Sequence, residues 1–164
     1  MNPEKKHTKE TIVSHMTFYP PFIYLGALVV GLIVDLIVNI RILPEDISIV
    51  LGVLFLIIAP LLIFWAHNST YFLARKNKAH EIENIKVHHF RRGPYKFSRN
   101  PIYLGLVFLV LGFSLLINSI FIFFALIIAF IFVHTYILPR EEKFLKDTYG
   151  EDYLEYREAV RTWL

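Results

Sequence analysis

The chain has 164 residues, a formal net charge of +3, 55% hydrophobic and 16% aromatic residues, and no cysteine. Its mean hydropathy of +0.51 is too high for a water-soluble domain and places it with membrane proteins. The missing cysteines exclude disulfides, thiolate metal sites, cysteine nucleophiles and prenylation of the chain itself, and no basic face on a soluble fold suggests a nucleic-acid partner.

The N-terminal stretch to Tyr19 is charged and precedes an apolar run without a small-residue cleavage site, which predicts a retained first helix. The first apolar run covers about 22–40, interrupted by Asp35 and Asn39, and the second covers about 47–67. Asp35 is a functional candidate as an acid inside a span, with a solvated place at the headgroups as the alternative. A third run, Pro101–Leu138, is nearly all apolar over 38 residues. A bilayer core takes about 20 helical residues, so this run divides into two spans, about 101–118 and 119–138, with the turn at Asn118-Ser119. The expectation is an all-α integral membrane protein of four transmembrane helices, the last two a hairpin, followed by a cytoplasmic amphipathic helical tail over 139–164. The whole of 1–164 is then one membrane domain.

Charge agrees with that topology. Sixteen of the 17 basic residues fall before span one, between spans two and three, or after span four; only Arg41 lies in the other connection. The positive-inside rule makes the basic side cytoplasmic, with both termini and the 68–100 loop on it. A prokaryotic inner membrane is the expected location. In the loop, Thr70–Glu83 lacks Gly and Pro and extends the second helix. In the tail, Leu145, Tyr149, Tyr153, Tyr156, Val160 and Trp163 recur at helical spacing. Gly150 closes one short helix and Asp152 starts another. The stripe suits a helix pair on the membrane or bundle surface, or a lid over a cytoplasmic pocket.

The chemistry concentrates at residues 91–105, where a basic loop containing Gly93-Pro94-Tyr95 runs into an apolar helix at Asn100-Pro101. Asn at the N-cap and Pro at the first helical position are a good helix start. Backbone N–H groups, Arg99, Asn100 and Tyr103 then gather at one helix N-terminus, which favours a carboxylate or phosphate. Glu141 and Glu142 follow the last span at the same mouth of the hairpin. One of them suits the helix dipole and the other a cationic ligand. Opposite charges so placed suit a zwitterion such as an amino acid. His134 lies one turn before Pro139 and faces the bundle or a cofactor. His88-His89 and the remaining histidines show no metal-site spacing, so no metal is expected.

Gly93-Pro94-Tyr95, Ser98-Arg99-Asn100-Pro101-Ile102-Tyr103-Leu104-Gly105, and Glu141-Glu142 with Phe144-Leu145, Tyr149-Gly150, Tyr153, Tyr156, Val160 and Arg161 resemble the signature of the isoprenylcysteine carboxyl methyltransferase family and its phospholipid methyltransferase relatives. The resemblance covers about 91–163. It implies an integral membrane methyltransferase using S-adenosylmethionine, held by Tyr95, Arg99, Asn100, Tyr103, Gly105, His134, Glu141 and Glu142, with Glu142 and Arg99 as catalytic residues. The implied acceptor is lipid-like or a small hydrophobic molecule, a prenylcysteine-type carboxylate among the choices. Two positions depart from the family pattern. Asn100 stands for its histidine, which removes any imidazole role, and Ile137 stands for an arginine associated with a carboxylate acceptor. Two rival readings of the same chain are an NADPH-dependent membrane reductase of the sterol reductase type and a non-enzymatic bundle that binds lipid or a partner.

Overall fold

In the computed structural model, residues 3–77 and 90–164 are described, with side chains over 20–69 and 90–164. The 78–83 part of the expected helix extension and His88-His89 lie outside the described residues. The rest is all-helical: α1 (Pro3–Ile37), α2 (Glu45–Asn77), a 3₁₀ turn at Gly93–Lys96, α3 (Pro101–Ile117), α4 (Ile120–Phe132), a π-helical turn at Val133–Ile137, α5 (Leu138–Tyr149) and α6 (Glu151–Ala159). Three helices are long and apolar enough to cross a membrane, over Pro20–Ile37, Glu45–Ser69 and Ile120–Tyr149. The expected third span, α3, is a shorter apolar helix of 17 residues. Val30, Leu61 and Ile128 are each more than half exposed on the outer faces of α1, α2 and α4, a surface suited to lipid.

α2 runs antiparallel along α3, α1 lies along α4, and the α3–α4 hairpin joins the two pairs. Small residues set the α2–α3 register. A Cβ on Gly52 would stand 2.6 Å from the Leu116 backbone nitrogen, one on Gly112 would meet Leu56, and one on Gly105 would stand 2.5 Å from Ile63 Cγ1. Each step up α2 is thus matched by a step down α3. Close backbone approach of this kind is how apolar helices gain dispersion contact where water offers no driving force. Phe55 and Phe108 pack across the same seam with ring centroids 5.3 Å apart.

The Asn118-Ser119 turn falls where the sequence puts it, and it does more than reverse the chain. Asn118 adopts φ +60°, a left-handed geometry that Asn tolerates better than most side chains. Its Oδ1 accepts from the backbone N–H groups of Ile42 and Leu43, and its Nδ2 donates to Leu43 O at 2.7 Å. Arg41 Nη1 donates to Ile117 O, and Ser48 Oγ donates to Leu115 O. Ser119 caps α4 by accepting from Ile122 N. These bonds tie the α1–α2 connection to the hairpin turn. This polar knot closes one end of the bundle and leaves the heads of α3 and α5 at the other.

The sequence puts the boundary between the last span and the tail at Pro139, and the helix does not break there. The chain stays helical from Ile120 to Tyr149. Proline lacks an N–H and its ring clashes with the carbonyl four residues back, here that of Thr135. The wider π-helical turn at Val133–Ile137 removes that conflict. The helix therefore carries Glu141 and Glu142 onward on one rigid rod. Gly150, at φ +58°, ends α5 and opens α6, as expected.

Candidate functional site

Four tail and loop elements meet at the head of α3. The 3₁₀ turn delivers Tyr95, and Ser98 to Tyr103 enter α3. The first turn of α5 delivers Glu141 and Glu142, and the Val160–Leu164 segment lies across the top. Gly93, at φ +51°, makes the tight approach possible, because a Cβ there would collide with Ser69 Oγ.

Two side-chain pairs bridge the loop and α5. Tyr103 Oη donates to Glu141 Oε1 at 2.5 Å. Arg99 Nη2 pairs with Glu142 Oε1 at 2.8 Å, the two side chains being 10% and 25% exposed. That degree of burial shields the pair from salt and makes its geometry matter more than that of a surface ion pair. Arg99 also donates through Nη2 to Thr162 Oγ1 and through Nη1 to Arg157 O, while its buried Nε has no partner among the described residues. The expected convergence of Tyr95, Arg99, Asn100, Tyr103, Glu141 and Glu142 is thus present in the geometry.

Two adjoining cavities flank these pairs. One, of about 210 Å³, is lined by Tyr95, Arg99, Asn100, Tyr103 and Glu141 together with Ile102, Phe144 and Leu145. The other, of about 170 Å³, shares Tyr95, Arg99, Asn100, Glu141 and Leu145 and adds Glu142, Phe90, Tyr153 and Tyr156. Small-molecule sites begin at roughly 300 Å³, a size that the two reach only when joined. The second cavity sets Glu141 and Glu142 beside Arg92 and Arg99 and the rings of Phe90, Tyr153 and Tyr156, so it offers both signs of charge. The first adds the apolar side chains of Ile102, Phe144 and Leu145.

The aromatic wall is packed from both sides of the loop. Phe90 stacks on Tyr156 with centroids 5.4 Å apart and meets Tyr149 edge-on at 5.1 Å. Tyr156 Oη donates to Tyr95 O at 3.0 Å. This packs Tyr149, Tyr153 and Tyr156 of the tail stripe against Phe90 of the loop, and Tyr153, Tyr156 and Val160 form a cluster of their own. Burial holds the Tyr153 phenol up at about 12 and raises those of Tyr95 and Tyr156 as well, with the Glu141 carboxylate adding to the effect at Tyr95. All three are therefore neutral hydroxyls near neutral pH.

Some expected residues act differently. Asn100 stands at the N-cap of α3, but its side chain makes no capping bond. Its Nδ2 donates instead to Thr162 O at 3.0 Å, and its backbone N–H goes to Ser98 Oγ. The segment across the top outcompetes the cap. Gly105 lines neither cavity and is a packing residue against α2. His134 is exposed and also outside the two cavities; its Nδ1 accepts from Trp163 Nε1 at 3.3 Å, while Trp163 packs on Phe130 at 4.8 Å. Sequence reasoning missed Thr162, whose hydroxyl and carbonyl bind Arg99 and Asn100. It also missed Phe90. A threonine in a polar tail carries no distinguishing signal, whereas an aromatic directly before Arg91-Arg92 was a readable one. Among the described residues no group of side chains is arranged to hold a metal ion.

A family model described as phospholipid methyltransferase matches residues 47–152, well over half of the chain. The matched stretch contains nearly all of α2, the loop, the hairpin and both glutamates. An uncharacterized protein of Haemophilus influenzae is 29% identical over 62 residues, covering 38% of this chain and 98% of that protein. No solved structure matches.

Proposed function

The chain belongs to the phospholipid methyltransferase family, and we propose that it is an S-adenosylmethionine-dependent integral membrane methyltransferase acting on a lipid-like or small hydrophobic acceptor. The observation that carries this reading is the meeting of Arg99, Tyr103, Glu141 and Glu142 around two adjoining cavities. The proposed topology has four spans, because α3 at 1.5 Å per residue is about 25 Å long and nearly fills a core of about 30 Å. The basic side, with Arg91, Arg92, Arg99, Arg140 and Arg157, then faces the cytoplasm.

The side chains present fit the methyl donor. Its amino-acid end needs a cation and an anion a few ångströms apart. Arg99 offers the first, with a buried Nε–H that no other described residue uses. Glu141 supports the second, because Tyr103 occupies Oε1 and leaves Oε2 for an ammonium. The rings of Phe90, Tyr153 and Tyr156 offer stacking surface beside Glu142. When bound, the donor supplies a sulfonium-activated methyl group, so the protein's part is alignment more than bond activation. Arg99 and Glu142 brace one another and set the approach from the loop side. Tyr103 keeps Glu141 aimed inward and, as a neutral phenol, serves as donor and not as base. Ile102, Phe144 and Leu145 give the larger cavity an apolar side for the acceptor's chain.

Thermal shift of the purified protein with S-adenosylmethionine and, separately, with NADPH tests the assignment. Stabilisation by S-adenosylmethionine alone is expected. Stabilisation by NADPH alone would favour a reductase, and response to neither would favour a bundle without cofactor chemistry.

A further inference from the structure

Tyr24 lies three residues beyond the Pro20-Pro21 pair of α1 and is 1% exposed. Its hydroxyl has no hydrogen-bond partner among the described residues. An orphaned buried hydroxyl costs about 1–3 kcal/mol, and phenylalanine would fill the same space without that cost. Native proteins retain few such groups, and each calls for an explanation. Tyr24 shares a buried cluster with Tyr103, Val133 and Leu138. Tyr103 in turn donates to Glu141, which lines both cavities. Tyr24 therefore stands behind the site, on a helix that the family match does not reach.

We infer that Tyr24 is a positioning residue that acts through Tyr103: with Glu141 engaged by a ligand ammonium, the Tyr24 O–H donates to the Tyr103 oxygen and keeps that phenol aimed at the carboxylate. A phenol oxygen accepts as well as donates, and accepting a hydrogen bond polarises its own O–H and strengthens the bond it gives. In the free protein the Tyr103–Glu141 contact holds the phenol on the cavity side. An ammonium on Glu141 relaxes that pull and brings the idle hydroxyl into use. This inference rests on the methyl-donor reading of the site.

The test uses S-adenosylhomocysteine as the probe, with its affinity measured calorimetrically for the full chain in detergent. The proteins are wild type, Tyr24→Phe, Tyr103→Phe and the double variant, and each is also melted without ligand. Tyr24→Phe should melt at or above the wild-type temperature and bind the probe about five-fold more weakly, the equivalent of one net hydrogen bond. In the Tyr103→Phe background the second substitution should add nothing, because its target is gone. Unchanged affinity in Tyr24→Phe, additive losses in the double variant, or a lower melting temperature without ligand would each overturn the role. A silent Tyr24→Phe in a protein that binds the probe leaves the methyl-donor reading standing, whereas no binding by wild type overturns both.

Discussion

Replacing Arg99 with methionine separates a structural strut from a ligand-binding group. The substitution keeps most of the side-chain volume but removes the 2.8 Å pair with Glu142 and the bonds to Thr162 Oγ1 and Arg157 O. Truncating one partner of a fully buried pair costs about 3–5 kcal/mol; with Glu142 a quarter exposed, water reaches the orphaned carboxylate and about 2 kcal/mol is expected. Melting in detergent reads this loss. A separate effect is expected on ligand binding. A charge-assisted bond to a carboxylate contributes about 1.5–3 kcal/mol, so S-adenosylhomocysteine should bind about 10- to 100-fold more weakly to Arg99→Met. Calorimetry at a temperature where both proteins are folded measures it. A variant with a lowered melting temperature and wild-type affinity would refute the reasoning: Arg99 would then only anchor the tail.

Three further outcomes follow from the packing and the tyrosines. Gly52→Ala should destabilise by about 1–3 kcal/mol through overpacking, because its Cβ would meet the Leu116 backbone. Gly26→Ala, with nothing within 4 Å of its Cβ, should be neutral or slightly stabilising, and paired melting curves compare them. Asn118→Ala removes three hydrogen bonds that tie the α1–α2 connection to the hairpin, a loss of about 2–3 kcal/mol; limited proteolysis of the 38–44 connection should accelerate with it. Stability should fall as pH rises from about 10 toward 12, where the unfolded tyrosines ionise while Tyr153, with its pKa of about 12, still holds its proton. The folded state binds more protons there, so the sign is a loss with rising pH, read by melting across that range.

Much of the architecture was legible because polar residues are rare in the apolar runs. Asn118-Ser119 interrupts 38 residues of apolar chain, and two adjacent polar groups inside a membrane-length run have few uses other than a turn. That Tyr103, Arg99 and the two glutamates come together was legible for a similar reason. They sit where a buried helix meets polar chain, so their charges converge once the hairpin closes. The helix through Pro139 was not legible, since local propensity says that proline ends a helix and only a π-helical turn, a tertiary accommodation, reverses that. Neither Thr162 nor the orphaned hydroxyl of Tyr24 could be read in advance. One depends on where the tail docks, and the other on which atoms fail to find a partner. His134 and Gly105 show the converse: both were expected to line the site, yet one receives Trp163 and the other packs on α2.

Methyl transfer itself tests the central claim most directly. Membranes carrying the wild-type chain, or the Glu141→Gln/Glu142→Gln variant at equal abundance, are incubated with methyl-labelled S-adenosylmethionine, and label is counted in the extracted lipid and small-molecule fractions. The account predicts label above the level of membranes lacking the protein for wild type and a loss of at least ten-fold in the variant. Equal labelling by the variant would contradict the assigned site, and no labelling by wild type would contradict the function.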